Sequence, residues 1–235
     1  MTVNLSKKLK SDLELLKQLS DSAKISLGEI EKNRNANDTQ HQVLMLSLVR
    51  AIKYFDAYLM LVENGYGEPA ATLVRSIYET NLWMRWSLVK KENADRYFNA
   101  SKGETLRMAK KLNDRGLARF VNAQNREEMT NLVIGEIKAF EMPRWEELAR
   151  ESGLSDLHAL VYPILSGMSH GNLLSMGERI LEDKKVSPLA DEKNIELFIP
   201  IANNVFRDCH LLCEEWIVNG KLHPIPNVRK LLIHK

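Results

Sequence analysis

Apolar residues recur at helical spacing along almost the whole chain, and no stretch alternates convincingly with the two-residue period of a half-buried strand. Over residues 5–34, Leu13, Leu16, Leu19, Ile25, Leu27 and Ile30 lie among many charges. That pattern predicts a long amphipathic helix docked on the outside of a bundle. Residues 33–38 are polar and loop-like, with Asp38 or Thr39 placed to cap the next helix. The helix that follows, ending at Glu63, is apolar nearly all round (Val43, Leu44, Leu46, Leu48, Val49, Ile52, Phe55, Tyr58, Leu59, Leu61), as a central element would be. Asn64 and Gly65 end it. Pro69 then opens a helix over 68–91 whose apolar side carries Ala71, Val74, Ile77, Tyr78, Leu82 and Trp86. These two helices are expected to pack as an antiparallel hairpin.

Beyond Trp86 the chain is more basic. Asn93 is expected to cap a helix containing Tyr97, Phe98, Leu106 and Met108, with a break at Gly103. Residues 116–140 suggest one or two further helices, and Pro143 opens a short segment that ends near Gly153. Ser155 caps a helix that Pro163 kinks or restarts and Gly171 stops. The last long helix spans 191–218 with a kink at Pro200, and the tail 220–235 is expected to be extended. Neither repeats nor a linker rich in Pro, Gly or Ser divides the chain. The expectation is a single all-α domain over 1–235, with a peripheral helix (1–36), a bundle of seven to nine helices (39–219) and a tail (220–235).

Composition narrows the class. The 235 residues are 44% apolar and 27% charged with a net charge of +2, which fits a globular chain and does not by itself demand nucleic acid or an anionic membrane. Locally the balance differs: residues 85–126 hold eleven Lys and Arg against four Asp and Glu, either a solvated face or one turned toward a polyanion. The first residues lack the apolar core of a signal peptide, and no run of ~18 uncharged apolar residues could span a bilayer. Two cysteines, Cys209 and Cys213, do not make a disulfide framework, and the expected location is the cytosol. Cys209-His210-x-x-Cys213 lacks further zinc ligands at recognised spacing, so these are expected to be core cysteines. No P-loop, Rossmann glycine set, nucleophile elbow or paired Glu-x-x-His is present, so neither a cofactor nor a metal is called for. Trp83, Trp86, Tyr78 and Phe55 could form a base-stacking platform, although aromatic residues at helical spacing are more often core.

Two stretches carry candidate chemistry. Arg75 and Glu79 lie one helical turn apart within an apolar surround. An exposed pair at this spacing contributes only ~0.2–0.5 kcal/mol, and the Arg-before-Glu order is the weaker one. They form either a structural ion pair or half of a site. Ser166 and His170 repeat the spacing, flanked by Gly167 and Gly171, which allow a close approach. An imidazole can exchange protons near neutrality and a hydroxyl can donate to an oxyanion, although a helix-terminal histidine also caps its own carbonyls.

Taken together, Gly67-x3-Ala71-x3-Arg75-x3-Glu79 and Tyr162-x3-Ser166-x3-His170 resemble a group of bacterial all-α proteins that is itself similar to HEPN domains (higher eukaryote and prokaryote nucleotide-binding domains) and abortive-infection proteins. The resemblance covers about residues 40–215. It implies a bundle with these polar groups in an interhelical cleft and metal-independent RNA cleavage, often by a composite site across a homodimer. In that scheme His170 is the acid or base, Arg75 stabilises phosphorane charge, Glu79 orients Arg75 and Ser166 donates a hydrogen bond. Tyr162, Tyr78 and Arg85 are the candidate substrate contacts. The HEPN motif, Arg and His with four to six residues between them, occurs at Arg34–His41 and Arg229–His234, and neither match is contained in the resembling stretch. The expected partners are RNA or a nucleotide and a second copy of the chain. The alternative is a non-enzymatic helical module that binds a ligand or protein and holds these residues as a structural polar cluster.

Overall fold

A computed structural model describes residues 5–117, 119–122, 124–129, 143–169, 192–221 and 224. Among the described residues there are seven α-helices and one π-helical turn: α1 (Lys7–Asn33), α2 (Thr39–Glu63), α3 (Gly67–Val89), α4 (Lys91–Asp114), α5 (Trp145–Glu151), α6 (Ser155–Ser169) and α7 (Glu192–Cys213), which continues into the π-turn Glu214–Val218. The architecture is all-α, as the apolar spacing predicts. Pairing of strand type is limited, among the described residues, to one isolated bridge between Val121 and Glu128.

The hairpin of α2 and α3 is the frame. Asp38 caps α2, its carboxylate accepting from the backbone N–H groups of Gln40 (2.8 Å) and His41 (3.2 Å). Gly65, at φ 78°, makes the turn into α3 in a conformation that other residues resist. The second helix of this hairpin is the hub: α3 packs against α2, α4, α5, α6 and α7. Its residues 80–88 are buried without interruption, so here the chain has no solvent face at all. Phe55 of α2 and Phe206 of α7 stack at 4.0 Å on the other side of the frame, within one continuous apolar core.

Several expectations need correction. No break occurs at Gly103; α4 runs from Lys91 to Asp114. Asn93 does not cap it. Its side chain is buried and donates to the carbonyl of Trp86 (2.9 Å), closing the C-terminal end of α3 instead. The described part of 116–129 is a turn rather than a helix. Asn122 and Asn125 accept from the backbone N–H groups of Gln124 (2.8 Å) and Glu127 (3.1 Å), and Arg126 takes a left-handed φ of 62°. Such side-chain turns compete with helix for the same backbone donors. Ile25 is 81% exposed, so α1 instead buries Leu9, Leu13, Leu16, Ala23 and Ile30. Pro163 does not restart its helix, which runs through it from Ser155 to Ser169, while Pro200 lies inside the last long helix as expected. The expected helix within 130–140, the stop at Gly171 and nearly all of the tail lie outside the described residues.

Candidate functional site

Helix α3 presents Arg75 and Glu79 on its side toward α6, where the helical period takes them off the buried row Val74, Ile77 and Tyr78. Arg75 Nε donates to Glu79 Oε1 at 2.9 Å, with side-chain exposures of 17% and 24%. The pair is therefore neither sealed in the core nor free on the surface. Arg75 Nη2 also donates to the Tyr162 hydroxyl on α6 (3.2 Å), and the guanidinium carbon stands 5.3 Å from the Tyr162 ring centre. Burial opposes the Arg75 charge, but the hydrogen bond and charge of Glu79, helped by Tyr162, outweigh it and raise the pKa above the ordinary arginine value. The cation is permanent and its direction is fixed from two sides.

On α6 the residues at four-residue spacing are His158, Tyr162 and Ser166. The His158 and Tyr162 rings stack at 4.5 Å, and Tyr78 Oη on α3 lies 3.2 Å from His158 Nδ1. Burial holds the Tyr78 phenol well above its usual range, with Tyr162 adding to the effect. Burial likewise lowers the His158 pKa, partly opposed by Glu146. Both groups are thus neutral near pH 7, which suits hydrogen bonding between them. Tyr162 is the junction, bonded to the cation on one side and stacked on the imidazole on the other.

The structure therefore joins Arg75, Glu79, Tyr162 and Tyr78 in one polar cluster between α3 and α6. Ser166 is half-buried one turn beyond Tyr162. His170 lies outside the described residues. Arg85 is placed elsewhere: it is 4% exposed and donates from Nε to Asp208 Oδ2 on α7 (2.7 Å), from Nη2 to Asp208 Oδ1, and to the carbonyl of Pro224 (3.2 Å). Asn81 adds a 2.7 Å bond to the same carboxylate. Both cysteines are buried free thiols, and burial, with Asp208 adding, pushes Cys209 up to about 12. Among the described residues no three His, Cys, Asp or Glu side chains converge as metal ligands.

Two members of the cluster's surroundings were not singled out from the sequence. His158 had a readable signal, since it stands four residues before Tyr162 and so extends the Tyr162-x3-Ser166 row. Trp145 had none: it reaches the site only because α5 packs on α3 and α6, which brings its ring 6.3 Å from Tyr162.

An all-α bundle with a partly exposed cation–carboxylate–phenol cluster between two helices is the class that fold and site define. The chain belongs to the family of unknown function DUF5677, whose model matches residues 41–187, from the first turn of α2 past the end of α6. That span contains Arg75, Glu79, Tyr162, Ser166 and His170, and leaves α1 and α7 outside. No curated protein matches the chain, and no solved structure does.

Proposed function

We propose that the chain is a HEPN-like protein that acts on the phosphodiester of an RNA or the phosphate of a nucleotide, working as a metal-independent ribonuclease in phage defence or a toxin system. The observation that carries this reading is Arg75, a cation tied across the helix boundary to Tyr162 and still open to solvent. A guanidinium held in this way is suited to the planar oxygens of a phosphate. Glu79 orients it through Nε, and Tyr162 and Ser166 supply hydroxyl donors. In cleavage the 2′-oxygen attacks the neighbouring phosphorus and the 5′-oxygen leaves. One proton is removed from the former and one delivered to the latter, with His170 taking one of these transfers. Arg75 balances the charge that grows on the non-bridging oxygens. Tyr78 serves indirectly, by holding His158 beneath Tyr162. A homodimer, as the HEPN resemblance implies, would complete the site.

The test is expression of wild type beside Arg75→Ala and His170→Ala, followed by growth and by RNA integrity with and without EDTA. RNA loss in the wild type that survives EDTA and falls at least ten-fold in both variants is the expected result. Unchanged RNA in every strain would end the ribonuclease reading. One observation favours the non-enzymatic alternative: Glu79 and Tyr162 already occupy two of the guanidinium's donor positions. On that reading Arg75→Ala lowers the melting temperature and leaves RNA untouched.

A further inference from the structure

Helix α4 is seated in the bundle for only part of its length. Ala94, Ala100 and Gly103 are buried, and Tyr97 stacks on Trp83 of α3 (4.5 Å, 9° between planes). Farther on, every residue of 107–119 whose side chain is described is exposed, apart from a half-buried Asn113. This end carries Arg107, Lys110, Lys111, Arg115 and Arg119 against one acid, Asp114. Among the described residues none of these five cations is held in an ion pair. Cations in a last helical turn answer the helix dipole, which accounts for Lys111 and its neighbours but not for Arg107 or Arg119.

Large apolar side chains are interleaved with the charges. Met108 and Leu112 lie one turn apart, beside the row of Arg107 and Lys111. The backbone N–H of Leu117 donates to the carbonyl of Leu112 (2.8 Å), and that of Gly116, at φ 69°, to the carbonyl of Asn113 (2.8 Å). This closure of the helix ties Leu117 back to Leu112 and lengthens the apolar row. Met108, Leu112 and Leu117 are 65%, 40% and 70% exposed. Apolar residues exposed singly are ordinary, whereas three adjoining ones on a cationic helix end mark a contact surface.

We propose that this end of α4 docks on an anionic phospholipid membrane. The proposal stands apart from Arg75 and its phosphate reading. Clustered Lys and Arg are drawn to negative headgroups, and the aliphatic row enters the boundary between headgroups and acyl chains. Both halves of the surface are thereby matched. A single strand of RNA would match only the charges, since it is held by stacking on aromatic rings as well. Residues 107–119 contain none, and Phe55, Tyr78, Trp83 and Trp86 are all buried in the bundle. A second copy meeting this surface with its own would set cations against cations. The membrane is met at its surface: among the described residues no helix is long and apolar enough to cross one.

The test is flotation of the full chain with vesicles of phosphatidylcholine, and of phosphatidylcholine mixed in equal parts with phosphatidylglycerol. The wild type is expected to favour the anionic vesicles about ten-fold or more, and less as salt rises. Lys110→Glu with Lys111→Glu should bring its binding down to the level of the neutral vesicles. Met108→Ser with Leu112→Ser should weaken anionic binding about ten-fold or more and leave the remainder sensitive to salt. All four positions are exposed, so both variants should keep the wild-type melting curve. Equal binding of the wild type to the two vesicles overturns the proposal. So does anionic binding that the serine pair leaves unchanged, because a purely ionic surface is one that RNA would share.

Discussion

At the scale of single residues, the most consequential pairing in the molecule is not the exposed one. Arg85 and Asp208 are 3% and 4% exposed, and their forked contact is extended by Asn81. An ion pair removed from water contributes little net stability, but deleting one partner leaves the other as an unpaired buried charge. Asp208→Ala is therefore expected to cost about 3–5 kcal/mol in urea denaturation. Arg85→Met with Asp208→Leu should recover most of that loss, because no charge then remains buried. If the single and double variants were equally unstable, packing rather than charge would account for the pair. The contrast with Arg75 is instructive. Arg75 and Glu79 keep contact with water, so holding their charges costs less than it does for the sealed pair.

At the scale of elements, the helices carry their own punctuation to different degrees. Both ends of α2 were readable, because Asp38 supplies an N-cap and Gly65 a left-handed turn, both local devices. Asn93 misled for an instructive reason: an asparagine near a helix start can bond forward to its own helix or back to the preceding one, and here it bonds back. Gly103 is an isolated glycine that its helix tolerates, and the asparagines at 122 and 125 bend a segment whose apolar spacing looks helical. The Arg75–Glu79 pair was readable from four-residue spacing. The Arg85–Asp208 pair was not, since its partners are 123 positions apart and only the packing of α3 on α7 brings them together. Gly28 gives this scale a direct test. It lies inside α1, and a Cβ added there meets nothing within 4 Å. Gly28→Ala should raise stability by roughly 0.5–1 kcal/mol, since alanine loses less backbone freedom in a helix than glycine does. A decrease in the denaturation midpoint would mean that the exposed face of α1 is covered by something other than solvent.

For the whole molecule the open question is what holds α1 to the bundle. It lies outside the residues that define the family, yet Leu9, Leu13, Leu16, Ala23 and Ile30 are buried in the same core as α2 and α7. Three polar links accompany them: Lys17 with Glu63, Lys24 with Asp56 (2.9 Å), and the Ser20 hydroxyl donating to Asp56 (2.6 Å). The charged groups of the two ion pairs are 39–44% exposed, and pairs of that kind contribute ~0–1 kcal/mol each. Burial of one leucine contributes ~1.5–3 kcal/mol, so the apolar stripe outweighs the charges. It follows that Lys17→Ala with Lys24→Ala should lose less than ~2 kcal/mol, whereas Leu13→Ala or Leu16→Ala alone should lose ~2–5 kcal/mol. A chain beginning at residue 35 should self-associate in light scattering, because the faces of α2 and α7 that α1 covers become exposed apolar surface. The same argument bears on assembly. With its main stripe buried within the chain, α1 exposes only Leu15 and Ile25 among its large apolar residues, too small a patch for a stable seam, so the homodimer proposed above would form mainly through another surface. Proteolysis across residues 34–38 separates the possibilities: cleavage enhanced by the two lysine substitutions would place the attachment in the charges, and cleavage enhanced only by the leucine substitutions would place it in the core.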